Sequence, residues 1–274
     1  MGNWQLPNSV DKTVESLAVP ISGAVGKTLK DIWELVLGNK VSFRNAKANL
    51  LLQQDLDSFK QSIAANINNI PAERLREPTL QIAGQALEKS KYCVEETELR
   101  EMFANLIARS MDSDYNNEIH PSFAEIISQM SPIDAGNLKL FKDASRNGLP
   151  LAEYVFTSGS AAEIIAHTDV FLENKNIQDI NVQSMSIGSL KRLGLLNSNY
   201  TKHFTEEACY NVFLNHASYK KFCDFLPKGK LVLPELAPRE LVEQILKWMP
   251  DGCLLRKGLA ELTQFGLAFI KVCL

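Results

Sequence analysis

The chain has 274 residues, of which 45% are hydrophobic and 22% charged, and its formal net charge is -3. A chain of this length and apolar content fits about two globular domains and is not expected to be disordered. The near balance of charge excludes a broad positive field that would hold a polyanion, so bulk charge does not favour nucleic acid as a partner.

Residues 1–40 form the first predicted segment, an amphipathic helical stretch. Ile21, Val25, Leu29 and Trp33 recur near helical spacing, with charged residues between them. Such a face packs on the chain's own bundle or on a second copy, and we predict self-association through these four residues, giving a homo-oligomer. The polar face mixes charge signs, which limits membrane contact to peripheral binding at most. No apolar run follows a basic start, so we expect the chain in the cytoplasm.

The tripeptide Gly26-Lys27-Thr28 matches the end of a phosphate-binding loop. That motif needs a glycine five residues before Gly26, and Ile21 occupies the position. No buried strand precedes it either. We therefore expect a helix here, and no nucleotide or other cofactor.

Residues 41–145 are predicted to form a helical bundle. Within the stretch 41–70, apolar residues at spacings of three and four indicate one or two helices, and a further helix is predicted from Thr79 to about Tyr92. Three more helices follow in residues 95–141. The first of these has an apolar stripe made of Leu99, Met102, Phe103, Leu106, Ile107 and Ser110.

The second and third helices of this stretch have recognisable starts. His120-Pro121 opens the second, which carries Phe123, Ile127 and Met130 at helical spacing. Ser131 is predicted to cap the third, with a proline at its first position and an aspartate in its first turn.

Three segments of this stretch, ELREMFANLIARSMD, IHPSFAEIISQMSP and DAGNLKLF, resemble the signature of the bacterial abortive-infection alpha family. The resemblance extends upstream through residues 71–73 and 77–78 to 86–88, and more weakly over the rest of the chain. It implies a role in defence against bacteriophages. The family has no catalytic motif to transfer to residues of this chain, so the resemblance implies a role without a mechanism.

Polar residues around this signature are the candidates for chemistry. Glu98, Arg100, Asp112, His120 and Ser122 form a candidate functional surface, and their carboxylates and imidazole could bind a divalent metal or act in acid–base catalysis. Metal sites in helical bundles use Glu-x-x-His patterns, and Glu98 has no histidine at that offset. We therefore favour a non-enzymatic protein without a metal site, in which His120 caps a helix or turns a loop. A metal-dependent hydrolase stays as an alternative.

Residues 151–274 are predicted to form a winged-helix-like α+β domain. A short strand is predicted at 151–156. The stretch 182–196 reads as a helix ended by Gly194 in the left-handed conformation and followed by a strand. Residues 258–266 resemble the last wing strand, with Thr263 capping a final helix. Between them lies an insertion with helices in 208–226 and 239–249 and a strand at 230–233. The fold class is thus mainly α, with a helical bundle first and the winged-helix-like domain second.

A winged helix is typical of DNA-binding proteins, but the charge of this domain does not favour that role. Residues 151–274 hold 13 lysines and arginines against 13 aspartates and glutamates. Phosphate contacts supply much of DNA affinity, and Lys191 and Arg192 are the basic residues of the recognition helix. We favour a protein partner, from the host or the phage, over nucleic acid. A DNA-binding regulator is the second alternative.

The five cysteines, Cys93, Cys209, Cys223, Cys253 and Cys273, are widely spaced and lack a C-x-x-C pair. This pattern fits a reducing compartment, in which each cysteine fills a helix face as a small hydrophobe. We expect neither a metal site nor a redox pair among them.

Overall fold

The structure, a computed structural model, describes residues 24–37, 46–144, 148–158, 163–224, 226 and 250–274. The chain divides into two compact units. The first, called the helical unit below, comprises Met1–Ala135 and Leu267–Leu274, and the second, called the sheet unit, comprises Gly136–Gly266.

The described residues form a series of helices, then a sheet with helices between its strands, and then a final helix. In chain order the elements are α1 (Ala24–Leu37), α2 (Ala46–Asn68), a π-helical turn (Leu80–Gly84), α3 (Gln85–Ser90), α4 (Thr97–Arg109), a 3-10 turn (Ser113–Tyr115), α5 (Phe123–Ser128), α6 (Pro132–Asp143), β1 (Leu149–Thr157), β2 (Glu163–Val170), α7 (Ile180–Arg192), β3 (Leu196–Asn199), α8 (Ala208–Asn215), α9 (Ala217–Asp224), β4 (Gly252–Leu262) and α10 (Gln264–Cys273).

Helix α4 is the centre of the helical unit. All six residues of its predicted stripe are buried, which confirms the helical period. α4 packs along α2, the single helix that forms the described part of 41–70. The partners on α2 are the buried Phe59, Ile63 and Ile67. Burying such side chains contributes about 1.5–3 kcal/mol each to folding, so this contact is the main stabilising surface of the unit.

The helix predicted from Thr79 begins as a π-helical turn and continues as α3. The helical period places Leu80, Ala83, Leu87 and Ser90 on one face. Ala83, Leu87 and Ser90 are buried there, whereas Leu80 is exposed. A π turn holds more residues per turn than an α-helix, so it rotates Leu80 away from the face that the α-helical period predicts.

The start of α6 has the predicted cap. The Ser131 hydroxyl accepts a hydrogen bond from the Asp134 N–H at 3.1 Å, and the Asp134 carboxylate accepts one from the Ser131 N–H at 2.9 Å. This reciprocal pair is a capping box, and it starts α6. At α5 the N-cap is Ser122, whose side chain makes no capping hydrogen bond. The His120 Nδ1 atom accepts a hydrogen bond from the Ser122 N–H at 3.2 Å, so His120 orders the turn that leads into α5.

The sheet unit contains an antiparallel sheet whose described strands have the order β2-β1-β4-β3. The strand predicted at 151–156 is β1, which pairs along its whole length with β4. Strand β2 was not predicted. Its residues do not alternate between apolar and polar, and its pairing with β1 contains register shifts near Tyr154.

The predicted helix–strand pair of the sheet unit is α7 and β3. Gly194 has a φ of 76°, the left-handed conformation that ends α7 as expected, and Leu196 then begins β3. The Thr263 hydroxyl accepts a hydrogen bond from the Gly266 N–H at 2.8 Å and so caps α10. A Cβ atom on Gly266 would stand 2.1 Å from the Leu195 carbonyl oxygen, which explains why glycine is needed there. The observed fold is mainly helical with one antiparallel sheet, and the winged-helix assignment stays a prediction.

Helices α8 and α9 replace the single helix predicted at 208–226. They are separated at His216, whose backbone is extended, and the His216 Nδ1 atom accepts a hydrogen bond from the Ser218 N–H at 3.3 Å. His216 directly precedes α9 and caps it, whereas His120 makes the same bond to the Ser122 N–H three residues before α5 begins.

The cysteine prediction is wrong for two residues. Cys223 and Cys253 form a disulfide between α9 and β4, with their Cα atoms 5.7 Å apart. No local pattern indicates this disulfide, because the two cysteines are 30 residues apart and belong to no motif. The pairing depends on tertiary packing, since Phe222 of α9 packs on Phe156 of β1, and Phe156 lies opposite Cys253 in the sheet register.

Some predicted features lie outside the described residues. They are Ile21, the strand at 230–233 and the helix at 239–249. Within the residues that the structure does describe, no helix combines the length and the apolar character needed to cross a membrane.

Candidate functional site

Arg100 lies in the interior of the helical unit rather than on a functional surface. Its guanidinium is 2.9 Å from the Asp55 carboxylate of α2 and donates to the Val94 carbonyl at 2.9 Å and to the Thr97 hydroxyl at 3.3 Å. These bonds tie the start of α4 to α2 and to the preceding turn. A buried arginine that is spent on three internal acceptors is a structural residue.

Asp112 also has an internal role, as the fully buried partner of Arg74. The Asp112 carboxylate accepts two hydrogen bonds from the Arg74 guanidinium, at 2.6 and 3.1 Å, and one from the Asp114 N–H at 3.1 Å. Burial alone would raise the pKa of Asp112, but these hydrogen bonds and the charge of Arg74 hold that pKa below its usual range. The same Arg74 pairs with the exposed Asp114 at 2.7 Å. Asp112 therefore joins the turn after Pro71 to the end of α4.

His120 and Ser122 are in contact, and their geometry is that of a local turn. The His120 Nδ1 atom is 2.7 Å from the Ser122 hydroxyl, and it also accepts a hydrogen bond from the Ser122 N–H. The same two contacts recur at His216 and Ser218, where they start α9, so we assign them to local backbone structure.

Glu98 is exposed in the first turn of α4, where the helix dipole favours a negative charge. The five residues of the candidate surface thus serve separate local roles. In the described part of the chain, no group of three or more histidines, cysteines, aspartates or glutamates is placed to hold a metal ion. The predicted acid–base cluster therefore does not appear there as a cluster.

Lys191, near the end of α7, is bound within the sheet unit. It is 2.7 Å from the Asp169 carboxylate, and the Tyr200 hydroxyl donates to the same carboxylate at 2.9 Å. Burial, and then the negative Asp169, raise the pKa of Tyr200 well above its usual range, so Tyr200 keeps its proton and donates. Asp169 is buried and has a φ of 51°. Arg192 is exposed at the end of α7.

The strands of the sheet carry a polar network that no local sequence pattern indicates. The buried Glu153 of β1 accepts a hydrogen bond from the Thr168 hydroxyl at 3.0 Å and pairs with Arg256 of β4 at 2.6 Å. Arg256 also pairs with the more exposed Glu163 of β2. Strand register alone brings these residues together, since Glu153 lies opposite Arg256. The network neutralises the buried carboxylate and provides no free nucleophile or base.

The sheet unit also has an open groove of about 580 Å³. Polar lining residues include the carboxylates of Asp143, Glu173 and Glu206, the Lys175 ammonium and the Cys209 thiol. The Lys175 ammonium donates to the Leu172 carbonyl at 2.9 Å. Carboxylates outnumber the described cation in the lining, so the groove suits a positively charged group better than a phosphate.

The predicted self-association residues Leu29 and Trp33 lie inside the helical unit. Both are buried, and the Trp33 ring packs on Phe59 of α2 with 5.9 Å between ring centroids. The Lys60 ammonium lies 5.1 Å from the Trp33 centroid. Ile21 and the side chain of Val25 fall outside the described part. The sequence left two partners open, and it is the chain's own bundle that covers Leu29 and Trp33. Self-association stays a prediction, but these two residues are not its contact.

Comparison with known proteins gave one family match. A family model described as abortive infection alpha matches residues 51–273. No curated protein and no solved structure matched. The matched range includes α4, the capping box of α6 and the whole described sheet.

Proposed function

The chain belongs to the abortive infection alpha family, and from this premise we propose that it acts as a non-enzymatic interaction module in defence against bacteriophages. The observation that carries the proposal is the internal use of the polar residues of the family-like stretch. Arg100 and Asp112 are buried in ion pairs, Ser131 and Asp134 cap α6, and His120 orders the turn before α5. A stretch that uses its polar groups to stabilise the fold serves as a scaffold. The activity of the protein then depends on its exposed surfaces.

The exposed face of α7 supports a protein as the partner. Asn181, Met185, Gly188 and Arg192 are the exposed residues of this helix, and Met185 is 71% exposed. Methionine is a flexible side chain that adapts to protein surfaces. DNA-binding proteins gain affinity from several separate contacts between basic side chains and phosphates. A single arginine on this face would therefore bind DNA weakly. The proposal places the protein in the cytoplasm, with a host or phage protein as partner.

Phage challenge of bacteria expressing defined variants tests the proposal. Glu98→Ala, His120→Asn and Ser122→Ala remove the groups that a hydrolase would use, and each is expected to keep protection near the wild-type level. Met185→Glu alters the exposed face of α7 without a buried contact, and it is expected to lose protection. Gly188→Ala is a matched control on the same helix face, since nothing lies within 4 Å of the position of its added Cβ.

The opposite pattern would overturn the proposal. Loss of protection by Ser122→Ala or Glu98→Ala, with the purified variant folded as shown by circular dichroism, would indicate an enzyme. Full protection by Met185→Glu would remove α7 as the contact surface. Equilibrium sedimentation of the purified protein tests the proposed homo-oligomer separately.

A DNA-binding regulator is the second candidate, and one observation favours it. The strand order β1-β4-β3 with α7 directly before β3 is the arrangement expected of a winged helix, with β2 as an added edge strand. If α7 reads DNA, Arg192→Ala should weaken binding to duplex DNA and reduce its salt dependence. Absence of duplex binding at physiological salt would remove this candidate.

A further inference from the structure

The disulfide of the sheet unit joins two elements that already pack together. Cys223 is near the end of α9, and Cys253 is near the start of β4. Their Cα separation of 5.7 Å lies in the range that a disulfide needs. Both residues are half-buried, at the margin of the sheet unit's hydrophobic core.

Aromatic packing next to the pair holds the two backbones in place. The Phe222 ring, adjacent to Cys223, lies 4.2 Å from the Phe156 ring between centroids, and 5.5 Å from the Tyr154 ring. Phe156 is the register partner of Cys253. Because these contacts do not involve sulfur, they persist when the cysteines are reduced. The thiols then stay within closing distance.

The other cysteines differ from this pair in reactivity. Cys93 and Cys273 are buried, and burial raises the pKa of each thiol. Since the thiolate is the reactive form, these two are poor partners for exchange. Cys209 is half-buried, and its thiol donates to the Glu206 carboxylate across 3.7 Å. Cys209 is therefore a matched control for a half-buried cysteine outside the pair.

We propose that Cys223 and Cys253 are a reversible thiol–disulfide exchange site for small disulfides such as glutathione disulfide. In a reducing compartment the pair is a dithiol. One cysteine thiolate attacks glutathione disulfide, forms a mixed disulfide and releases one glutathione thiolate. The second cysteine thiolate then attacks the protein sulfur of that mixed disulfide and releases the second glutathione thiolate. Two electrons pass to glutathione disulfide, and the two protons of the cysteines go to the released thiolates.

Closure of the site has a structural consequence. The bond fixes α9 to β4 and closes a loop across a sequence separation of 30 residues. A cross-link of this kind restricts the unfolded chain, so the oxidised sheet unit is the more stable form. The redox state of small thiols would thereby set how firmly α9 is held on the sheet.

Thiol counting of the full-length chain tests the exchange. The protein is equilibrated in glutathione buffers from fully reduced to fully oxidised, quenched with acid, denatured and titrated for free thiols. The expected count falls from five to three in the wild type, which has five cysteines. It should fall from four to two in Cys209→Ser, with the same midpoint. In the wild type it should return to five when reduced glutathione is restored. In Cys223→Ser and in Cys253→Ser no intramolecular pair forms.

A thermal scan gives the independent second readout. Reductant is expected to lower the unfolding midpoint by about 10 °C in the wild type and in Cys209→Ser, and to leave Cys223→Ser unchanged. A constant five thiols in every buffer would overturn the proposal, as would three thiols that no reduced glutathione restores. An equal thermal response in Cys223→Ser would also overturn it, because the response would then come from another source.

Discussion

Replacing Asp112 by alanine should destabilise the helical unit far more than replacing Asp114, although both carboxylates bind Arg74. Asp112 has no exposed side-chain surface, whereas the Asp114 side chain is 57% exposed. Asp112→Ala removes two hydrogen bonds from Arg74 and one from the Asp114 N–H. Charge-assisted hydrogen bonds of this kind contribute about 1.5–3 kcal/mol each to stability in buried settings. Their contribution is smaller here because Arg74 is partly exposed to solvent. We expect a loss of about 3 kcal/mol for Asp112→Ala and below about 1 kcal/mol for Asp114→Ala.

Urea unfolding of both variants, followed by far-UV circular dichroism, measures the difference. The direction in which this stability difference changes with pH can also be predicted. The folded pKa of Asp112 is depressed, so its stabilisation is present above the ordinary aspartate pKa and is lost as pH falls through the lower folded value. The gap between wild type and Asp112→Ala should thus narrow below about pH 4. Equal losses for the two variants at pH 7, or a gap that widens in acid, would refute the reasoning.

Four other substitutions follow from burial and close approach. Phe103→Ala empties a fully buried site and should cost about 3–5 kcal/mol in the free energy of unfolding. Gly266→Ala places a Cβ atom against the Leu195 carbonyl and should cost about 2 kcal/mol or more, whereas Gly188→Ala in the open should gain up to about 1 kcal/mol. Both are measured by chemical denaturation. Trp33→Ala should cost about 3–5 kcal/mol and leave the molar mass from light scattering unchanged; a change in mass would contradict its burial within one chain.

The predictable parts of this fold are those written in local sequence. The stripe from Leu99 to Ser110 needs only the helical period, and the capping box of Ser131 and Asp134 needs only a spacing of three. Gly194 was identified as a helix end because glycine adopts the left-handed conformation without strain.

The unpredicted parts depend on residues far apart in the chain. Arg100 reads as a surface charge until Asp55, 45 residues away, is placed beside it. Strand β2 has no alternating pattern of its own and takes its conformation from β1. The pairing of Cys223 with Cys253 likewise follows from aromatic packing that no local pattern indicates.

The helical unit is discontinuous in sequence, since its last portion, Leu267–Leu274, follows the entire sheet unit. That portion supplies Phe269, whose ring meets Phe123 edge to face with 5.1 Å between centroids, and Cys273, whose carbonyl accepts a hydrogen bond from Asn105 at 3.1 Å. A ribosome therefore synthesises every residue of the sheet unit before it makes the last portion of the helical unit. During synthesis Phe123 waits without this partner for more than 140 residues, which at about 5–20 residues per second is roughly 7–30 s. An incomplete apolar surface exposed for that time is a natural binding target for a chaperone on the nascent chain.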